Sequence, residues 1–245
     1  MRPLLRAVGL LWMVLWAHAA QAEKLRLVAD AWPPFTDASM PRGGLATAIV
    51  TTALQRAGYA SEFEQVPWAR ALLGVGEGRY DVLINAWQNE ARARIGQFSV
   101  GYLNNRVRLL RRKGDSLRFD SLADLHPHLI AVVRGYAYAV EFDGDTRLQK
   151  VPVRDFSVAV GMLAAGRVRL TVNDEYAAHY FLQRETATVR EGVEFFGQPL
   201  SENSLHILVS LKNPRHAQIV AGFDQAIAAM KADGSYARLL KDYGL

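Results

Sequence analysis

The sequence predicts an α/β fold made of two similar units, and three observations carry that expectation. Short runs rich in Val, Leu and Ile alternate with segments of helical period, the pattern of parallel strands joined by crossover helices. The alternation runs once through the first half of the chain and again after Leu129. A chain of 245 residues, half of them hydrophobic, is large for one domain and sufficient for two cores. No repeat of fixed period and no low-complexity segment interrupts it.

Leu25–Ala29 reads as the first strand, and it ends in Asp30-Ala31-Trp32-Pro33-Pro34-Phe35. The two prolines cannot continue a ladder and force an ordered loop. Gly43-Gly44 opens a helix over Leu45–Ala57, which Gly58 stops. Ser61–Val66 is a second strand, and Trp68–Val75 a second helix ending near Gly76 and Gly78. Val82–Ile84 is a third, buried strand, and Arg106–Arg111 alternates like a strand that leaves this unit.

The second series begins with a strand at Leu129–Val133 that runs into Arg134-Gly135-Tyr136. Another strand is expected at Gln149–Val153, then a helix over Phe156–Ala165 stopped by Gly166. Val168–Val172 is a strand ending at Asn173-Asp174-Glu175, where a helix to about Gln183 starts with Asp174 as a natural N-cap. Val193–Phe196 is apolar, and Leu205–Val209 is a strand able to return to the first unit. His216–Lys231 closes the series as a long amphipathic helix with Ile219, Phe223, Ile227 and Met230 on one face.

Ahead of these elements, Met1–Ala22 places Arg2 and Arg6 before an apolar stretch, Ala7–Ala17, and then Ala20-Gln21-Ala22. That is the order of a cleaved secretory signal peptide, with cleavage expected after Ala22. The apolar stretch is short for a membrane span, and no Cys near the site would take a lipid. The mature protein is therefore expected in the periplasm, as a soluble monomer. Without the two leader arginines it carries 27 basic against 24 acidic side chains, a net charge of +3. So mild a charge, with no basic cluster, does not mark a nucleic-acid partner. LLRRKGD at Leu109–Asp115 reads instead as a strand end running into a turn. The absence of cysteine excludes disulfides and thiolate metal sites, and no cofactor is expected.

Asp81–Tyr102 is the segment that speaks to function. The apolar run Val82–Ile84 stops at a polar bend, a Glu-Ala-Arg turn follows, and Phe98-Ser99 and Tyr102 come after it. A buried strand thus delivers Arg92 to its carboxyl end, where open α/β sheets bind ligands. A planar, forked guanidinium suits a carboxylate better than a lysine does. Read alone, Arg92 and Arg94 are equally well solvated charges on a helix face.

The pattern of this segment resembles that of bacterial periplasmic solute-binding proteins of family 3, the amino-acid type. AWPPFTD at Ala31–Asp37 is similar to the family's aromatic-Pro-Phe loop, and Val66–Asp81 to its Trp-led helix before the third strand. Ser121–Leu125 with Ile130–Gly135, GRVRLTVND at Gly166–Asp174 and MKADGSYARLLKDYG at Met230–Gly244 follow in the family's order. The resemblance covers nearly the whole chain after the leader. It implies a two-lobed, type II periplasmic binding protein fold, each lobe a mostly parallel sheet flanked by helices and joined by two hinge strands. Lobe one would be 23–108 plus 206–245, and lobe two 109–205.

The resemblance also implies a site. Trp32, Phe35 and Trp68 would be apolar walls, Arg92 would bind the carboxylate of an amino acid, and backbone donors at Gly135 and Tyr136 would assist it. Asp174 would hold the ammonium. Read without the family, Trp32 could cap the sheet core, Trp68 could pack a helix start and Asp174 could be an N-cap alone, while Arg70 reads as a surface cation. The chain departs from the family at Asn85, Ala86, Trp87 and Gln88, where small or hydroxyl residues are common, and at Asn89, where Thr is common. Trp87 and Asn89 fall within the expected site, and Trp87 is bulky enough to fill it or to line it.

The implied function is a non-enzymatic receptor for a small amino-acid-like ligand, handing it to an inner-membrane ABC permease. Two alternatives stand beside it. One is an enzyme of the cyclohexadienyl dehydratase type on the same fold, with Glu175 as its acid. The other is a ligand sensor without a transporter. Nothing in the sequence marks a nucleophile: the six His are scattered, and neither G-x-S-x-G nor H-E-x-x-H is present.

Overall fold

The computed structural model describes residues Lys24 to Gly244; the leader expected at Met1–Ala22 lies outside them. The first unit contains β1 (Lys24–Ala29), α1 (Leu45–Arg56), β2 (Ala60–Gln65), α2 (Trp68–Glu77) and β3 (Val82–Ala86). Next come α3 (Glu90–Ala93), β4 (Gly96–Phe98) and β5 (Leu103–Arg112). The second unit contains β6 (Leu129–Val133), α4 (Val140–Gly144), β7 (Gln149–Val153), α5 (Phe156–Ala164) and β8 (Leu170–Asp174). The chain continues through α6 (Glu175–Leu182), α7 (Ala187–Glu191), β9 (Val193–Ser210), α8 (His216–Ala232) and α9 (Ser235–Asp242).

The sheet order is β2-β1-β3-β9-β5-β8-β6-β7, with β4 added on β9. β1 runs parallel to both β2 and β3, and β6 runs parallel to both β7 and β8. Each unit therefore starts on a central strand, steps to one side and then crosses to the other. The two parallel triads are joined by β5 and β9, which are antiparallel to each other and to their other neighbours. This is a two-lobed α/β architecture, each lobe a mostly parallel sheet flanked by helices. Reversal of strand order beside β1 and beside β6 makes a crevice at the carboxyl end of each, the place where such sheets hold ligands.

The helices form because their apolar residues recur at helical spacing and have a sheet face to cover. α8 buries Ile219, Val220, Phe223, Ala226, Ile227 and Met230 in one core with α1, β1 and β3. In the second unit, α5 buries Phe156, Ala159, Val160 and Leu163 against β6, β7 and β8. The loop after β1 is locked to α1 by its own carbonyls: Leu45 N–H donates to Pro34 O at 2.8 Å and Ala46 N–H to Phe35 O at 2.8 Å. These contacts satisfy helix-start amides that have no partner within the helix. They also require glycine before α1, since Gly44 has φ +95° and a Cβ there would sit 2.6 Å from Phe35 O.

Three expectations need correction. Leu205–Val209 is not a strand by itself but the end of one 18-residue strand, β9, which already begins at the apolar Val193–Phe196. Its register against β5 shifts where Gly197–Leu200 intervenes, and the strand-breaking Gly197 and Pro199 hide the continuity in the sequence. β8 begins at Leu170 and carries Asn173 and Asp174 within the strand; the polar residues, fully buried there, look like a loop when read alone. β4, α3, α4, α7 and α9 were not expected as separate elements, being short or, for α9, largely polar.

Candidate functional site

A cavity of about 320 Å³ opens at the carboxyl ends of the strands of both lobes. From the first lobe it is lined by Asp30, Ala31 and Trp32 just after β1, by Trp68 at the start of α2, and by Asn85, Trp87 and Arg92 in and after β3. From the second it is lined by Gly135, Tyr136, Ala137 and Tyr138 after β6 and by Asn173 and Asp174 at the end of β8, while Val107 of the connecting strand β5 lies between the two sets. Both switch points thus contribute to one site.

Arg92 is half-buried and is placed by its own loop. Asn89 caps α3, its Oδ1 accepting from Arg92 N–H at 2.8 Å. The guanidinium lies 4.9 Å from the centre of the Trp68 ring and donates from Nη1 to Trp87 O at 2.6 Å. No described carboxylate is within ion-pair distance of it. Burial lowers its pKa from the ordinary arginine value, the mark of a cation held away from water without a compensating anion. Arg94 and Arg70 are exposed and do not reach the cavity.

Asp174 is buried and does two things at once. Its Oδ1 accepts from Ala177 N–H at 2.9 Å and so caps α6, while its Oδ2 accepts from Asn105 Nδ2 at 2.9 Å. Burial pushes its pKa up to about 6, although the donors of Ala177, Asn105 and Tyr176 pull the other way. No described cation pairs with it. Asn105 also accepts from Trp87 Nε1 at 3.4 Å, which ties the wall of the first lobe to the carboxylate of the second.

Of the residues expected in the site, Trp32, Trp68, Trp87, Arg92, Gly135, Tyr136 and Asp174 line the cavity together. Trp87 lines it and leaves the space open, its ring edge-on to Trp32 at 6.0 Å. Phe35 does not line it: the ring is fully buried beneath Trp32, 4.5 Å between centres. Asn89 does not line it either, because capping turns its side chain toward α3. The expected pair of backbone donors is also reduced. Tyr136 N–H donates to Val133 O at 3.2 Å, and α4 starts only at Val140, so no helix N-terminus opens at Gly135.

Asp30, Asn85, Tyr138 and Asn173 were not anticipated. Asn85 donates from Nδ2 to Asp30 Oδ1 at 3.1 Å and to Thr36 Oγ1 at 3.3 Å. Its Oδ1 is buried with no partner among the described residues, as is Nδ2 of Asn173, whose Oδ1 is taken by Asp174 N–H at 2.9 Å. Unmet polar atoms are costly in an interior and here mark where a ligand's own polar groups belong. The signal was available: Asp30 directly follows the first strand, and Asn85 breaks an apolar run.

The family model for bacterial extracellular solute-binding proteins, family 3, matches residues 25–245. The chain belongs to this family. No curated protein matches it significantly. Among solved structures, this solute-binding protein is similar to a mutant of ArgBP from T. maritima, with 20% identity and a TM-score of 0.68 over 90% of this chain and 94% of the other. It is also similar to the GluR0 ligand-binding core from Nostoc punctiforme in complex with L-glutamate, at 18% identity, TM-score 0.68, 89% and 98% coverage. A third similar structure is the ancestral amino acid-binding protein AncCDT-1, described as a precursor of cyclohexadienyl dehydratase, at 18% identity, TM-score 0.65, 90% and 94% coverage. At these identities the structures show the fold.

Proposed function

We propose that this family 3 protein is a periplasmic receptor for an amino acid, which it hands to an ABC importer by closing two lobes on the ligand. The observation that carries the reading is the charge arrangement of the cavity. Among the described residues, Arg92 from one lobe has no anion paired with it and Asp174 from the other has no cation. A zwitterion supplies both, so bound ligand removes two unpaired charges that are costly when buried. Hinge closure would run through β5 and β9, with lobe one at 23–108 plus 206–245 and lobe two at 109–205.

Glu175, the acid that a dehydratase would use, supports the receptor reading by its position. It pairs with Arg106 at 2.6 Å and Arg108 at 3.0 Å and is absent from the cavity lining. Neighbouring permease and ATPase genes would favour import over stand-alone sensing. Export is tested by mass spectrometry of the periplasmic protein, where a chain beginning at Glu23 is expected and retention of Met1–Ala22 would refute cleavage.

A thermal-shift screen of amino acids, small carboxylates and amines tests the function itself. A ligand at a hundredfold excess over its dissociation constant adds roughly 2.7 kcal/mol to the folded state. At least one amino acid is expected to raise the melting temperature. Shifts from carboxylates or amines only, with none from amino acids, would refute the proposal.

A further inference from the structure

β5 carries a polar side chain where its register calls for an apolar one. Leu103, Asn105, Val107 and Leu109 are its buried positions in turn, and Asn105 is fully shielded from solvent. A buried amide costs free energy unless it is bonded, and both ends of this one go to residues of the cavity. Nδ2 donates to Asp174 Oδ2 at 2.9 Å, and Oδ1 accepts from Trp87 Nε1 at 3.4 Å. The orientation is unambiguous, because an indole N–H only donates and an ionised carboxylate only accepts. Asn105 itself does not line the cavity.

The bonding continues on each side. Trp87 O accepts from Arg92 Nη1 at 2.6 Å, and Asp174 Oδ1 caps α6 through Ala177 N–H at 2.9 Å. An unbroken chain therefore runs from the cation of the first lobe, through Trp87 and Asn105, to the carboxylate of the second. Its middle link stands on β5, one of the two strands that join the lobes. A hydrogen bond to the charged form of a carboxylate favours that form, and the Asn105 donor opposes the effect of burial on Asp174. The other charged or titratable groups around Asp174 are accounted for. Glu175 is held by Arg106 and Arg108, and burial raises the pKa of the Tyr176 phenol. Arg92 and Asp30 lie across the cavity on the first lobe.

We propose that Asn105 is a positioning residue: from the connecting strand it favours the ionised form of Asp174 and sets Trp87 in line with it, so that aromatic wall and carboxylate meet the ligand as one unit. Its effect on ligand rests on the zwitterion reading of Arg92 and Asp174. The link between Asp174 and Trp87 does not, since it exists without ligand.

The link is read in the ligand-free mature protein. Beyond the leader the chain has three tryptophans, Trp32, Trp68 and Trp87, all on the cavity. Their indole N–H resonances are resolved by proton–nitrogen correlation NMR, with Trp87 assigned through Trp87→Phe. The Trp87 resonance is expected to move as the pH passes through about 6, following Asp174, and to stand still in Asp174→Asn. No movement in wild type, or the same movement in Asp174→Asn, would overturn the link.

Asn105→Leu keeps the bulk of the side chain without either bond. Titration calorimetry is expected to show its affinity for the best amino acid roughly tenfold or more weaker near neutral pH. The pH at which affinity rises should move up by about one unit or more. Unchanged affinity, or an equal loss at every pH in a folded variant, would overturn the positioning role. Should Asn105→Leu fail to fold, the Trp87 resonances of wild type and Asp174→Asn decide. If no amino acid binds, the zwitterion reading falls and the effect on ligand with it, while the resonances still decide the link.

Discussion

Asn105 donates to Asp174 Oδ2 at 2.9 Å, from near the start of β5 to the end of β8, with both side chains buried. That contact fixes one carboxylate oxygen while helix capping fixes the other, so Asp174 is rigidly presented to the cavity. It also separates the two roles of this residue. In Asp174→Asn, one oxygen remains to cap α6 or to accept from Asn105, and one hydrogen bond, about 1 kcal/mol, is lost. Removal of a buried charge offsets that loss. The variant is expected to melt no lower than wild type at about pH 8, and its affinity for the best amino acid to fall roughly tenfold or more. Unchanged affinity would reduce Asp174 to a helix cap.

The raised pKa of Asp174 predicts a pH dependence of definite sign. The folded state binds the proton more tightly than the unfolded chain, since the pKa is about 6 against an ordinary 3.8. The resulting stabilisation of the ligand-free protein is full below the ordinary value and disappears as the pH rises through about 6. It is on the order of 3 kcal/mol. Melting curves across this range should show wild type losing stability relative to Asp174→Asn. An ammonium on the carboxylate favours the charged form, so affinity should rise with pH through about 6 and binding near that pH should release protons. Calorimetry in buffers of different ionisation enthalpy reads the release directly. A flat affinity and no proton release would show that no cation sits at Asp174.

Glu175 is expected to matter for stability and not for ligand. Its carboxylate is mostly shielded and bridges Arg106 and Arg108. Glu175→Gln should cost roughly 2 kcal/mol by weakening charge-assisted contacts, with ligand affinity essentially unchanged. Loss of affinity with normal melting would place Glu175 in the site and revive its role as an acid.

Much of the fold was legible because burial and period agree. The alternation of strands and helices around β1–β3 and β6–β8 follows directly from apolar runs of period two or four. β9 was not legible as one strand because Gly197–Leu200 interrupts its register, and Asn173 in β8 looked like a loop because a buried amide imitates an exposed one. Of the cavity lining, Arg92, Asp174, the three tryptophans, Gly135 and Tyr136 were readable from the ends of strands and from the family pattern. Phe35 was misplaced since an aromatic after a proline pair fits a wall and a core plug equally well. Asp30 was passed over and Asn85 was read only as a departure from the family pattern, although both lie where β1 and β3 end; the hydrogen bond between them and the unpartnered Asn85 Oδ1 appear only in three dimensions.

The central claim is that Arg92 receives the ligand's carboxylate in this cavity, and titration calorimetry of Arg92→Ala beside Arg94→Ala tests it most directly. Arg92 is half-buried on the cavity wall with no anion paired to it among the described residues, whereas Arg94, two residues on, is exposed and away from it. Loss of one partner of a buried charge pair costs about 2–5 kcal/mol. Arg92→Ala is therefore expected to weaken binding of the best amino acid by tens-fold or more, and Arg94→Ala to leave it unchanged. Equal effects of the two substitutions, or the reverse order, would contradict the account.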